Sequence, residues 1–118
     1  MARATAVTNT KIYGPNVVGK ATANSVTAAT AFYVDADELD ERTVFVYTPG
    51  AADATLTVAA GTGYAGVNDL VLDCSTSGGI YCFTLDSARY AIASGENVGL
   101  IKMTPLKSGT FQVIQPKV

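Results

Sequence analysis

The chain of 118 residues contains no histidine and no tryptophan. Without histidine there is no Ser-His-Asp or Cys-His activation of a nucleophile, no imidazole ligand for zinc, and none of the commonest general base. Without tryptophan, the aromatic platform of a sugar-binding sandwich falls to tyrosine alone. Charge is scarce too: eight Lys and Arg stand against ten Asp and Glu, a net charge of -2. The basic residues are scattered singly, so the clustered positive footprint of a nucleic-acid binder is missing and no nucleic-acid partner is expected. No apolar run approaches the roughly 18 residues of a membrane span, so no membrane partner is expected either. The opening "MARATAVTNTKIYG" has one arginine but no continuous apolar stretch, unlike a secretory signal. Synthesis in a cytosol is the expectation, with the protein staying there or leaving as part of something else.

Cysteine is nearly absent. Cys74 and Cys82 are the only two, in "DCSTSGGIYC", which reads as strand, turn, strand. A hairpin centred near Gly78 would set the two thiols opposite each other. Two readings stand: small semi-buried side chains, in keeping with cytosolic synthesis, or a candidate cross-strand disulfide formed after release. The spacing, with no other cysteine and no histidine, is not that of a metal site.

What the chain does have is a run of short β-prone segments. "TVFVYT" (43–48), "ATLTVA" (54–59), "LVLDC" (70–74), "IYCFTL" (80–85), "VGLIKMT" (98–104) and "TFQVIQ" (110–115) are β-branched or aromatic, and several alternate with period two. "SVTAATAFYV" (25–34) ends in the β-prone pair Phe32-Tyr33. Turn chemistry lies between them. Thr48-Pro49-Gly50-Ala51 suits a type II turn, "STSGG" a hairpin, and "ASGEN" and "KSGT" the last two connections. "DSARYAIA" (86–93) is the only helix-like stretch, about one turn. The expectation is an all-β fold, a small antiparallel β-sandwich or barrel of about six to eight strands. Residues 1–24 form an extended N-terminal arm, with Val17-Val18 as its candidate strand, and 25–118 form the β-sandwich domain.

Gly61, Gly63 and Gly66 fall in the order G-x-G-x-x-G, the spacing of a dinucleotide-binding loop. That loop must open a helix whose N-terminal amides meet the pyrophosphate. Here "VNDLVLDC" follows, a turn pair and then a strand. The context fails, no nucleotide or other cofactor is expected, and the glycines read as a loop with Tyr64 at its tip, a contact residue of small entropy cost. "DADELDE" (35–41) puts Asp35 and Asp37 at calcium-loop positions, but Leu39 and Asp40 break the match, leaving a solvated acidic turn that includes Asp37 and Glu38. Alternation in "IYCFTL" sends Ile80 and Cys82 one way and Tyr81, Phe83 and Leu85 the other, so both faces carry apolar groups. A closed barrel with overlying loops explains this, and so does a face buried against another subunit.

From Thr43 to Gln115 the order of "RTVFVYTPGAADATLTVAAGTG", "DLVLDC", "GGIYCFTLDSARYA", "GLIKMTP" and "GTFQVIQ" resembles the small β-sandwich head decoration, or cement, proteins of tailed bacteriophages. The shared features are an Ala/Thr/Val/Gly-rich lead, a strand–turn–strand pair, a Gly-rich loop, an aromatic "R-Y" segment (Arg89-Tyr90) and two closing strands. The paired cysteines and "DADELDE" depart from the pattern. The resemblance implies a non-enzymatic structural protein on the capsid exterior, assembled in the host cytoplasm. It implies the major capsid protein as partner and self-association as a homotrimer as the first expectation. Ile12, Tyr13, Val17, Val18, Asp37, Glu38 and Tyr64 are the candidate contact residues. The alternatives are a sugar- or calcium-dependent adhesive module, or another virion or tail component.

Overall fold

The computed structural model describes residues 4–13, 16, 18–35, 43–62, 68–85 and 87–116. Among them are nine strands and one helical turn: β1 Asn9–Ile12, β2 Asn24–Val26, β3 Phe32–Asp35, β4 Val44–Pro49, β5 Ala54–Val58, β6 Leu70–Cys74, β7 Tyr81–Phe83, α1 Ser87–Tyr90, β8 Leu100–Pro105 and β9 Gly109–Pro116. They form a β-sandwich of two sheets. Sheet A runs β1-β9-β4-β7, with β2 sharing the β1 edge of β9, and sheet B runs β3-β8-β5-β6. No helix among the described residues is long and apolar enough to cross a membrane.

Period-two alternation builds the layers. In β4, Phe45, Tyr47 and Pro49 point inward, and in β5 so do Ala54, Leu56 and Val58, all buried. Ile101, Met103, Phe111 and Val113 complete the centre with no exposed surface. All four phenylalanines meet there: Phe32 of sheet B lies 4.7 Å from Phe111 of sheet A, and Phe45 lies 5.3 Å from Phe83 and 6.0 Å from Phe111, ring centre to ring centre. These offset and tilted pairs add to the burial of aromatic area. The buried Tyr47 hydroxyl donates to the Lys107 carbonyl at 2.6 Å, tying sheet A to the β8–β9 turn.

Four expectations are corrected. The "STSGG" segment does not close a hairpin: β6 pairs with β5 in sheet B and β7 with β4 in sheet A, so the chain changes layer there. "KSGT" likewise carries β8 of sheet B into β9 of sheet A. Turn chemistry marks where a strand ends, not which layer the next one joins. In the β4–β5 connection the left-handed residue is Asp53 (φ 61°), not Gly50, so the type II turn at 48–51 does not form. The pairing is not wholly antiparallel, because β1 runs parallel to β9 from Asn9↔Val113 to Ile12↔Pro116.

Much of the lead lies on the sandwich. The Ala4 amide donates to Asn97 Oδ1 and the Val7 amide to the Tyr33 carbonyl, along the β3 edge of sheet B. The chain then enters sheet A as β1. Val18 is outside any strand, and Val17 lies outside the described residues.

Candidate functional site

The glycine segment follows from packing. Strand β6 begins at Leu70, where a phosphate-binding loop would require a helix. Gly61 sits against the turn after α1. A Cβ there would stand 2.6 Å from the Ala91 carbonyl oxygen and 2.8 Å from that of Arg89. Three hydrogen bonds hold the loop: Gly61 N–H to the Arg89 carbonyl (2.8 Å), Ala93 N–H to Thr62 Oγ1 (2.8 Å) and Ala60 N–H to Asp69 Oδ1 (2.8 Å). Glycine is present because two backbones touch. Tyr64 lies outside the described residues, as do Asp37 and Glu38.

Two depressions mark the outer side of sheet B. One, of about 130 Å³, is lined by Ala59, Ala60, Thr62, Tyr90, Ile92 and Lys102. The other, of about 170 Å³, is lined by Ala29, Thr55, Thr57, Thr104, Pro105 and Leu106. Neither lining pairs two carboxylates or sets a nucleophile beside a base. Among the described residues no three Cys, Asp or Glu side chains are grouped to hold a metal ion.

The cysteines are two free thiols, Cys74 buried and Cys82 exposed. They sit in different sheets, Cys74 registered with Ala54 and Cys82 with Val46. The cross-strand geometry of the candidate disulfide is therefore absent. Burial, and then the Asp73 carboxylate, pushes the Cys74 thiol above its ordinary value, so it stays protonated and is a packing group, not a nucleophile.

The most unusual surface is the outer face of sheet A. On β4 the residues alternating with the inward aromatics are Val44, Val46 and Thr48. Across from them on β9 lie Ile114, Gln112 and Thr110. Cys82 stands beside Val46, with Ile80 before it (73% exposed) and Thr84 after it on the same side. As alternation predicts, Tyr81, Phe83 and Leu85 turn inward and pack against the core. At the opposite edge, Thr10 and Ile12 share the side of their partners Ile114 and Pro116, and Lys11, registered with buried Gln115, points the other way. Among the described strand residues that point to this side, none is charged. The outer face of sheet B does carry charge, with Lys102 and Asp73 both exposed.

Of the sequence candidates, the structure brings Ile12 to this face. Ile12 lies at its β1 edge, half-buried, with the backbone of Gly19 folded against it so closely that a Cβ on Gly19 would sit 2.9 Å from Ile12 Cγ1. Tyr13 (66% exposed) follows directly, and Val18 (95% exposed) lies in the same connection. Val44, Val46 and Ile114 were not among the candidates. Their signal was available, because the alternation that turns Phe45 and Val113 inward turns the neighbouring valine and isoleucine to the other side, where Val46 is itself buried. Compared with family models, curated proteins and solved structures, the chain matches none.

Proposed function

We propose that this chain is a structural virion protein that binds the outside of a tailed-phage capsid, contacts the major capsid protein, and bridges and stabilises neighbouring capsid subunits. The observation that carries the reading is the outer face of sheet A, whose described strand residues are uncharged and which has Ile80 exposed at its β7 edge. Burying charge is costly, so a face without any is suited to being covered by another protein. Its size matters as well. Four strand positions across and six residues along make roughly 20 Å by 20 Å, or about 400 Å². A stable pairwise interface takes about 800 Å² per partner. A patch of half that size binds weakly once and firmly only when many copies act together, each clamping two neighbours. The resemblance of residues 43–115 to decoration proteins supports the same reading.

The test is co-sedimentation with expanded phage shells. The wild-type chain pellets with the shells. Ile80→Glu and Cys82→Glu, which place charge on solvent-exposed positions of the face, weaken binding at least about tenfold, the effect of about 1.4 kcal/mol per site. Equal binding by folded variants removes this face from the contact, and no wild-type binding overturns the reading.

A further inference from the structure

Among the described strands β1 alone pairs in parallel, and it shares its edge with another element. Both β1 and β2 lie on the side of β9 away from β4, β1 beside Val113–Pro116 and β2 beside Gly109–Phe111. The chain leaves the edge after Ile12 and returns to the same edge at Asn24. The body of the sandwich holds β1 through β9 itself, the Asn24 side chain clasping Thr8, and the Thr22 amide donating to Thr10 Oγ1 at 3.0 Å.

We propose that β1 exchanges between copies of this chain, the Asn9–Ile12 strand of one copy lying in the β9 groove of another. The incoming strand has the same sequence, so it meets the same donors, acceptors and register as the resident one. The two arrangements then differ only in the hinge, which is the condition under which strand exchange is cheap.

The hinge has the needed properties. Tyr13, Asn16, Val18, Gly19 and Lys20 are exposed, and of the described residues before β2 only Val7 packs against the core. Asn16 holds a left-handed backbone (φ 61°), which asparagine adopts readily and which marks a turn in the connection. The close contact of Gly19 on Ile12 is the main packing given up. Nine residues, 13–21, reach about 30 Å when extended. That exceeds the 26 Å shortest dimension of the molecule, so a neighbouring copy is within range.

Concentration decides which form is populated. A short flexible linker holds its own strand at an effective concentration of order 1 mM. Dilute chains keep β1 at home, and chains crowded into that range trade it. The inference rests on the fold alone and stands or falls separately from the shell-binding reading.

Two single-cysteine chains test it, both in a Cys74→Ala, Cys82→Ser background. One carries Thr10→Cys and the other Ile114→Cys, at registered positions on strands about 4.8 Å apart, within disulfide reach. They are mixed at about 1 mM, oxidised, and read by non-reducing electrophoresis and mass spectrometry. Exchange yields covalent dimers linking 10 to 114, in a fraction that falls on dilution before oxidation. The same two substitutions in one chain calibrate closure. If that chain closes and the mixture gives no 10–114 link, the proposal is overturned. If the one-chain pair does not close, sedimentation of the cysteine-free chain from about 10 μM to about 2 mM decides: a dimer that grows with concentration supports exchange, and a monomer throughout overturns the proposal.

Discussion

The carboxamide of Asn24 clasps Thr8 from both sides. Its Oδ1 accepts from the Thr8 amide at 3.0 Å, and its Nδ2 donates to the Thr8 carbonyl at 3.1 Å and to the Phe111 carbonyl at 3.0 Å. One side chain thus imitates a strand partner and joins the start of β1 to the start of β2 along one edge of β9. Asn24→Ala is expected to cost about 1–2 kcal/mol and to speed hydrogen exchange at the Thr8 amide. Asn24→Asp keeps the acceptor but turns a negative oxygen toward two carbonyls, so it is at least as damaging. Unchanged melting and exchange in Asn24→Ala would show that the clasp holds nothing.

Tyr47 makes a short side-chain bond to the main chain, 2.6 Å to the Lys107 carbonyl. Tyr47→Phe keeps the ring and leaves that carbonyl without its phenolic donor. The expected loss is about 1 kcal/mol, or about 4 °C in melting temperature. A smaller loss in the β4 variant Thr48→Ala, read in the same melts, separates this bond from general damage to the strand.

Gly61→Ala forces a methyl into two backbone carbonyls that lack the freedom of a side chain. Overpacking of this kind costs about 1–3 kcal/mol. The effect should centre on the 59–62 and 89–93 segments in hydrogen exchange, leaving β4 and β9 protected. A stability equal to wild type would mean that the two segments separate easily.

Alkaline pH should destabilise the fold. Burial, then the Asp73 carboxylate, raises the Cys74 thiol above its ordinary 9.0. Burial, then the Cys74 thiolate, raises the Tyr47 phenol above its ordinary 10.0. The folded chain therefore keeps both protons at pH values where the unfolded chain has begun to lose them. Stability then falls as pH rises, since the unfolded state binds fewer protons. The contribution is fully present below the ordinary thiol value and declines as pH climbs through 9 and 10. Urea midpoints measured from about pH 8 to 11 should drop, and the Tyr47→Phe, Cys74→Ala double variant should drop less.

Thiol labelling distinguishes the two cysteines. Cys82 is exposed and Cys74 is 2% exposed. The native protein should take up one equivalent of a maleimide quickly and a second only on unfolding. Failure to label either thiol in denaturant without reductant would reveal a disulfide.

Much of the sandwich was legible in the sequence because its strands carry their own evidence. Ala54 to Val58 and Gly109 to Pro116 alternate cleanly, since one side of each is buried and the other is not, and Val44 to Pro49 does so except at Val46, which is buried on the outward side. The inward and outward split around Cys82 was readable for the same reason. "NTKI" was not readable as β1, because all four residues are half-buried and no period appears. Its place beside β9 depends on Asn24 and Val113, which are distant in the chain. Layer assignment was hidden for a similar reason: a turn is a local matter, whereas the sheet a strand joins is settled by packing. The uncharged face needed both pieces of knowledge, alternation along each strand and the order of strands across the sheet.

From β2 to β9 every step but one, β5 to β6, carries the chain from one sheet to the other. The main chain laces the two layers along their rims as a cord laces a boot. Prising the layers apart loads covalent peptide linkages as well as the contacts between them. The same lacing leaves no fragment that can condense by itself, since neither sheet is complete until nearly the whole chain has arrived. Such a polypeptide is expected to fold late and all at once, on the millisecond-to-second scale of topologies built from distant pairings.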